Sequence, residues 1–177
     1  MRIAVFVRAI VFIAKRGRKV YKQTVTAISG RTFATFPVAI LAFVINQKEE
    51  FLFLKPPAET GWEIPSGGLE AGESPLQGLD RELHEELGAA FKHSVLGPVH
   101  ATLFRYDDRV TNMLSIGFAV QHLDGDIVPG DDMAGAQCLW LTIEEIRNRS
   151  DIAVPDDINL FSYALDVFHS RNLADKS

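Results

Sequence analysis

Residues 67–89 read GGLEAGESPLQGLDRELHEELGA, and they combine a glycine-rich turn, a helix start and a cluster of carboxylates. Ser74 is a good N-cap residue, Pro75 suits the first helical position, and Gln77 completes a capping box. Gly88 is typical of the position just after a helix end. The stretch therefore predicts a helix that begins after Ser74 and ends near Gly88.

The predicted helix has one apolar face and one acidic sector. The apolar face is formed at helical spacing by Leu76, Leu79, Leu83 and Leu87. Glu82, Glu85 and Glu86 fall beside it, within a sector of roughly 100°. Such close carboxylates repel one another, and a divalent cation would remove the conflict. Oxygen ligands alone favour Mg²⁺ or Mn²⁺ over zinc. A merely solvated charged face is the alternative, which the adjoining Gly-Gly turn disfavours.

The stretch resembles the Nudix hydrolase box, G-x5-E-x7-R-E-U-x-E-E-x-G-U, where U is a bulky apolar residue. The positions on this pattern are Gly67, Glu73, Arg81, Glu82, Leu83, Glu85, Glu86 and Gly88. The one departure is Ala89, where a larger aliphatic residue is usual. The resemblance implies an α/β fold, the Nudix α/β/α sandwich with a mixed β-sheet between helices.

The resemblance also implies an activity. It is the Mg²⁺-dependent hydrolysis of the pyrophosphate bond in a nucleoside diphosphate linked to another moiety, such as ADP-ribose or a nucleotide sugar. Mn²⁺ is a substitute cation. Two alternatives stay open: hydrolysis of (oxidised) nucleoside triphosphates or dinucleoside polyphosphates, and a non-catalytic module that only binds nucleotides.

The resemblance assigns roles to residues of the box. The implied metal ligands are the main-chain oxygen of Gly67 and the carboxylates of Glu82, Glu85 and Glu86. Glu73 and Arg81 would pair and hold the loop to the helix. The implied catalytic set is Glu73, Arg81, Glu85 and Asp132. Asp132 is included because relatives often place a water-activating acid in the loop before Trp140, although loop acids are also commonly just solvated.

Three residues outside the box are candidates for substrate binding. Trp62 could stack on a base or pack in the core. With Glu63 it forms W-E-I-P, which looks like the approach to the box in ADP-ribose pyrophosphatases. Tyr106 lies near the place where dinucleoside-polyphosphate hydrolases carry a tyrosine. The two similarities indicate different substrates, so neither identifies one.

Strand candidates surround the box. Residues Pro37–Ile45 and Phe51–Lys55 are apolar runs that predict a β-hairpin. Val99–Tyr106 and Met113–His122 predict two further strands. We expect residues 36–148 to form the Nudix domain and residues 149–177 to form a C-terminal helix packed on it.

Charge is distributed unevenly along the 177 residues. Residues 1–48 contain nine Lys or Arg and no Asp or Glu, whereas the rest of the chain has a balance of −14. The single cysteine, Cys138, excludes an internal disulfide and indicates a reducing, cytoplasmic location.

Residues 1–35 form a basic, apolar N-terminal extension. Its apolar run, residues 3–14, is too short to span a bilayer. Packing in a homodimer is the favoured interpretation, and peripheral contact with an anionic membrane is the other. We expect a small-molecule nucleotide substrate and no specific nucleic-acid partner, because no aromatic-interleaved basic motif is evident.

Overall fold

The computed structural model describes residues 24–130, 133–153 and 158–174. The apolar run at residues 3–14 lies outside them. The elements are β1 (Thr24–Thr26), β2 (Thr32–Ala34), β3 (Val38–Ile45), β4 (Phe51–Lys55), β5 (Ser66–Gly68), α1 (Pro75–Leu87), β6 (Lys92–Phe104), β7 (Met113–Asp124), β8 (Gln137–Leu141), α2 (Ile143–Arg147) and α3 (Asn159–Ala174). Among the described residues, no helix is long and apolar enough to cross a membrane.

The main sheet is mixed and has six strands. Its order is β6-β7-β3-β4-β8, and β5 also pairs with β3. The central strand β3 runs parallel to β7 over its whole length and antiparallel to β5. Strands β1 and β2 form a separate two-stranded sheet. The predicted α/β sandwich with a mixed sheet between helices is confirmed.

Strand β3 supplies both hydrophobic cores because alternate side chains of a strand point to opposite faces. Ile40, Ala42 and Val44 belong to the cluster that contains the buried leucines of α1. Leu41 and Phe43 belong to the cluster that contains the buried face of α3. A continuous apolar run at this position is therefore a strand that is covered on both faces.

The predicted hairpin of the two apolar runs is confirmed, since β3 and β4 are antiparallel neighbours joined by a short turn, but the two strands pair over a very short stretch. Strands β3 and β4 share only the pair Ile45–Phe51, and β4 otherwise pairs with β8 over five residues. The physical reason is that β5 takes the edge of β3 at residues 39–41. Strand β3 therefore pairs with two strands along this edge, with β5 at residues 39–41 and with β4 at Ile45. Strand β5 contains Gly67, the first residue of the box.

Strand β6 begins seven residues before the predicted strand at Val99. The strand passes Gly97 and Pro98 with register shifts between Val95 and Gly97 and between Pro98 and His100. Bulges of this kind accommodate a proline at the edge of a sheet, and β6 is an edge strand.

Helix α3 covers one face of the sheet through an aromatic cluster. The ring of Phe161 lies edge-on to Phe43 and Phe51, at centroid distances of 5.2 and 4.9 Å, and stacks on Phe53 at 5.8 Å. All four rings are fully buried. Burying a phenylalanine side chain contributes about 1.5–3 kcal/mol, and edge-on aromatic pairs add to that.

We expect Phe161→Ala to lower the free energy of unfolding by about 3–5 kcal/mol, because it leaves a cavity between α3 and the sheet. Tyr163→Ala, on the exposed side of the same helix, is the control and should change it by no more than about 0.5 kcal/mol. Urea denaturation measures both. Equal effects of the two substitutions would contradict the packing of α3 described above.

His100 of strand β6 is half-buried and packs against neighbouring strands of the sheet. The Nε2 atom of His100 lies 3.1 Å from the hydroxyl of Ser115, and its ring lies edge-on to Phe43 at 5.9 Å. The ring comes this close because the neighbouring residue is Gly117, where a Cβ would lie 2.4 Å from ring atoms. Burial lowers the pKa of His100 below its ordinary value of 6.5.

The lowered pKa predicts acid sensitivity. Below pH 6.5 the unfolded chain binds a proton that the folded chain resists, so stability falls as the pH drops towards the folded pKa. His93 acts in the same direction, chiefly through burial, against the opposing charge of Asp80. We expect His100→Gln to reduce this loss in urea titrations between pH 7 and 5, and exposed His84→Gln to leave it unchanged. Identical pH profiles for both variants would contradict the role of His100.

Candidate active site

Helix α1 forms as its sequence predicts. Ser74 caps it with both halves of the capping box, since its side chain accepts from the Gln77 amide and the Gln77 side chain accepts from the Ser74 amide. Gly88 ends it with φ at +90°, and its amide donates to the carbonyl of His84. A Cβ at residue 88 would lie 2.7 Å from the carbonyl oxygen of Val128, so space as well as backbone conformation favours glycine here.

The apolar face of α1 differs from the prediction at one residue. Leu79, Leu83 and Leu87 are fully buried, but Leu76 is 54% exposed, so its assignment to the core face is wrong. The first turn instead faces the sheet through Gly78, where a Cβ would lie 2.6 Å from the side chain of Leu69. The absence of a side chain at residue 78 lets the start of α1 approach the loop after β5.

The acidic sector of α1 lies against strand β5. Glu82 and Glu86 are buried, at 9% and 3% exposure, and Glu85 is half-buried. The amide of Ser66 donates to the Glu86 carboxylate at 3.0 Å. The Glu82 carboxylate occupies the space beside Gly67, where a Cβ would lie 1.9–2.1 Å from its atoms. Two carboxylates of one helix, those of Glu82 and Glu86, are thus placed at a short strand that contains glycine.

The guanidinium of Arg81 connects the carboxylates to the loop. Its Nε and Nη2 donate to the two oxygens of Glu73 at 2.8 and 3.1 Å. Its Nη1 donates to Glu82 at 2.8 Å and to Glu85 at 3.1 Å. Its Nη2 also donates to the carbonyl of Gly68 at 2.8 Å. The hydrogen bond with Glu73 is the main cause of a strongly raised pKa of Arg81, against an opposing effect of burial.

The side-chain contacts of the Ser66 amide and the Gly68 carbonyl are the part of this site that the sequence did not predict. The amide of Ser66 and the carbonyl of Gly68 bind Glu86 and Arg81 respectively. The pair Gly67-Gly68 in the sequence could have indicated these contacts, because glycines allow side chains to approach the backbone closely.

The donor atoms of the site fit a hard divalent cation. They are all oxygen, two of the three α1 carboxylates are buried, and the Glu82 carboxylate lies beside Gly67, which has no Cβ. Within the parts of the chain that the structure describes, no three His, Cys, Asp or Glu side chains are arranged so that they could hold a metal ion. The Nη1 atom of Arg81 contacts the carboxylates of both Glu82 and Glu85, so the positive charge of the guanidinium lies next to both.

Asp132 lies outside the described residues, but the described residues on either side of it, Gly130 and Met133, lie near α1. A Cβ at Gly130 would lie 3.0 Å from the carbonyl oxygen of Glu85. Met133 is buried in the same cluster as the leucines of α1. Both flanks of the predicted catalytic acid are therefore held against the helix of the box.

The three predicted substrate-binding residues have different surroundings. Trp62 is 8% exposed in the core, with Lys55 Nζ and the Arg149 guanidinium each 5.9 Å from its ring, which favours the packing alternative over base stacking. Glu63 forms an isolated backbone bridge to strand β4. Tyr106 lies in the turn between β6 and β7, where burial and nearby Asp107 raise its pKa.

Comparison with known proteins gives consistent matches. A family model described as the NUDIX domain matches residues 35–162. An RNA pyrophosphohydrolase of Ruthia magnifica subsp. Calyptogena magnifica is 42% identical over 65 residues, which is 36% of this chain and 36% of that relative. The match thus spans little more than a third of the relative's length.

Solved structures resemble the whole sheet and its helices. A NUDIX hydrolase from Nitrosomonas europaea has a TM-score of 0.57 and 25% identity, covering 77% of this chain and 90% of that chain. The crystal structure of a UDP-X diphosphatase has a TM-score of 0.60 and 20% identity, covering 78% of this chain and 66% of that chain. The second likeness is one of fold alone.

The close approach of Glu82 to Gly67 gives a prediction. Gly67→Ala should displace the flexible carboxylate while the fold is kept, so we expect Mn²⁺ affinity to fall about tenfold, as for a disturbed metal-ligand arrangement. Gly68→Ala is the matched control, since its Cβ would meet nothing within 4 Å. Isothermal titration measures the affinity, and thermal melting checks the fold. Equal affinities in the two variants would contradict the importance of this approach.

Proposed function

The chain belongs to the NUDIX domain family, and on that premise we propose that it hydrolyses a phosphoric anhydride bond in a nucleotide-containing substrate. The observation that carries this proposal is the placement of Glu82 and Glu86 beside strand β5, with Arg81 joining Glu73, Glu82 and Glu85. Burying carboxylates costs free energy of desolvation, so a helix that served only for packing would not be expected to bury two of them side by side.

We propose Mg²⁺, with Mn²⁺ as a substitute, as the cofactor. Glu82, Glu85, Glu86 and the main-chain oxygen of Gly67 would hold it. When bound, such a cation polarises the phosphoryl group, lowers the pKa of a water molecule and neutralises the leaving phosphate.

The residues of the chain itself would perform positioning and proton transfer. Glu73 and Arg81 position the carboxylates, because the guanidinium contacts Glu73, Glu82 and Glu85 at once. Glu85 has the more exposed side chain of the two acids on Arg81 Nη1, at 28% against 12% for Glu82, so it is the more accessible to a substrate and its water. Asp132 would act as the base that activates water.

For the substrate we propose first a nucleoside diphosphate linked to another moiety, such as ADP-ribose or a nucleotide sugar. The motif W-E-I-P at residues 62–65 supports this substrate class. Trp62 is buried, so its ring is not proposed to stack on a base. Glu63 and Tyr106 stay predicted substrate contacts. A cytoplasmic location and a homodimer also stay predictions from the sequence.

A second candidate is the pyrophosphate at the 5′ end of an RNA. It is favoured by the 42% identity over 65 residues to a protein named RNA pyrophosphohydrolase. The sequence had predicted no specific nucleic-acid partner, so the two expectations differ and can be tested together. Nucleoside triphosphates, dinucleoside polyphosphates and a binding role without catalysis are further outcomes of the same test.

We expect Glu86→Gln to lower turnover by orders of magnitude, because it removes one proposed ligand charge. The fold should be kept, since the amide oxygen of glutamine can still accept from the Ser66 amide. The measurement is hydrolysis across ADP-ribose, nucleotide sugars, dinucleoside polyphosphates, oxidised nucleoside triphosphates and 5′-triphosphorylated RNA, with Mg²⁺ and with chelator.

Glu144→Gln, an exposed change on helix α2, is the matched control and should retain full turnover. Products distinguish the candidates: conjugates yield a nucleoside monophosphate and a phosphorylated fragment, and triphosphates yield pyrophosphate. Full turnover by a folded Glu86→Gln variant would refute the assignment of Glu86.

A further inference from the structure

The segment that follows β7, residues 125–130, runs beside the C-terminal end of α1. Gly125 passes so close to the residues after the helix that a Cβ would lie 1.8 Å from the carbonyl oxygen of Ala90. Further along the segment, the amide of Val128 donates to the carbonyl of Leu87, the last residue of α1, at 2.9 Å. The last carbonyls of a helix have no partner within it, so the segment supplies one.

The same segment ends beside the acidic sector. A Cβ at Gly130 would lie 3.0 Å from the carbonyl oxygen of Glu85. The contacts therefore progress from beyond the helix end towards the last turn of α1, which carries Glu85 and Glu86. Helix ends fray, and fraying of this turn would move the two carboxylates away from Arg81 and from the Ser66 amide. The segment thus supports the part of α1 where a small displacement would disturb the site.

One side chain fixes the start of this segment. The Nε2 atom of His122, near the end of β7, lies 3.1 Å from the carbonyl oxygen of Gly125. A carbonyl oxygen can only accept, so Nε2 carries the hydrogen and donates it. The imidazole stacks on Phe91 and on Trp140, at centroid distances of 5.2 and 5.7 Å and interplanar angles of 5° and 25°. These two rings hold the plane in which the hydrogen bond is donated.

An open cavity of about 600 Å³ adjoins the same contact, and both His122 and Gly125 line it. Its lining also contains Lys48, Asp124 and Asp126, so charges of both signs face it. Such a lining favours no single class of ligand, and the donor of His122 is already bonded to the carbonyl. The geometry therefore favours positioning of the segment over ligand binding as the role of this side chain.

We propose that His122 is a positioning residue for the hydrolysis and acts on the carboxylates of Glu85 and Glu86 through residues 125–130. The inference rests on the proposed function and adds to it a residue outside the box. The hydrogen bond of His122 fixes where the segment begins, and the hydrogen bond from the segment to α1 carries that position to the last turn. A histidine with a packing role alone affects stability, whereas a positioning residue also changes the turnover of a folded enzyme.

The test compares two substitutions of the same residue in the full chain. His122→Phe keeps a ring that can stack on Phe91 and Trp140 but cannot donate to Gly125. His122→Gln loses the ring but keeps an amide hydrogen that can be donated. On the preferred substrate of the panel, we expect His122→Phe to lower kcat about tenfold with little change in KM, because it misplaces groups that the reaction needs in register. His122→Gln should restore most of the wild-type kcat.

Hydrogen exchange of the Val128 amide measures the contact between the segment and α1. We expect this amide to exchange several-fold faster in His122→Phe than in the wild type, and at close to the wild-type rate in His122→Gln. His93→Phe is the matched control, because His93 also stacks on Phe91 but its ring nitrogen lies near Asp80 of α1. It should change neither kcat nor this exchange.

Thermal melting checks that each variant is folded. If His122→Phe does not fold, His122→Met takes its place, since methionine is close in size to glutamine and cannot donate. Equal kcat in the wild type and the variant without a donor would overturn the proposal, even if the exchange of Val128 accelerates. An equal loss of kcat in His122→Gln would overturn it too, because the hydrogen bond would then not be the cause.

Failure of this inference differs from failure of the proposed function. Hydrolysis that does not depend on a donor at residue 122 would overturn the role of His122 and leave the hydrolase intact. Absence of hydrolysis by the wild type would refute the hydrolase, and Mn²⁺ affinity would then decide whether His122 positions Glu85 and Glu86. A loss of affinity in His122→Phe that His122→Gln restores would support this role, and equal affinities would overturn it.

Discussion

The guanidinium of Arg81 is the interaction on which the arrangement of the site depends. It contacts Glu73, Glu82, Glu85 and the carbonyl of Gly68, so one side chain connects the helix, the loop before it and the strand before that loop. Carboxylates on one sector of a helix repel one another, and burial increases the cost. A shared cation beside them reduces both penalties, and arginine suits the task because its planar group donates in several directions at once.

Apolar packing of α1 offsets the free-energy cost of placing these carboxylates close together. The opposite side of α1 buries Leu79, Leu83 and Leu87 against the sheet, and Gly78 lets the first turn approach Leu69. The helix is therefore fixed in rotation about its axis, so its acidic sector can face only strand β5. Apolar burial of this kind supplies the free energy that the carboxylates cost.

Local chemistry in the sequence predicted the helix of the box, its cap at Ser74 and its end at Gly88, because each depends on residues within a few positions. The sequence also predicted β3 as buried, since a continuous apolar run can only be covered on both faces. It did not predict the pairing of β4 with β8, the exposure of Leu76 or the main-chain contacts of Ser66 and Gly68. These three features depend on tertiary contacts, such as the pairing of β5 with β3. Residues that are close in the sequence do not specify those contacts.

The pairing of β5 with β3 has a consequence for motion. Residues of binding loops commonly belong to the least stable parts of a protein, where local opening costs little. Here the segment Ser66–Gly68 is a strand, hydrogen-bonded to the most buried strand of the sheet. The amides of this segment that bond to β3 should exchange with solvent hydrogen only when that pairing opens, whereas exchange of the Ser66 amide depends on its hydrogen bond to the Glu86 carboxylate. We therefore expect adaptation to substrates of different size to occur in segments other than this strand.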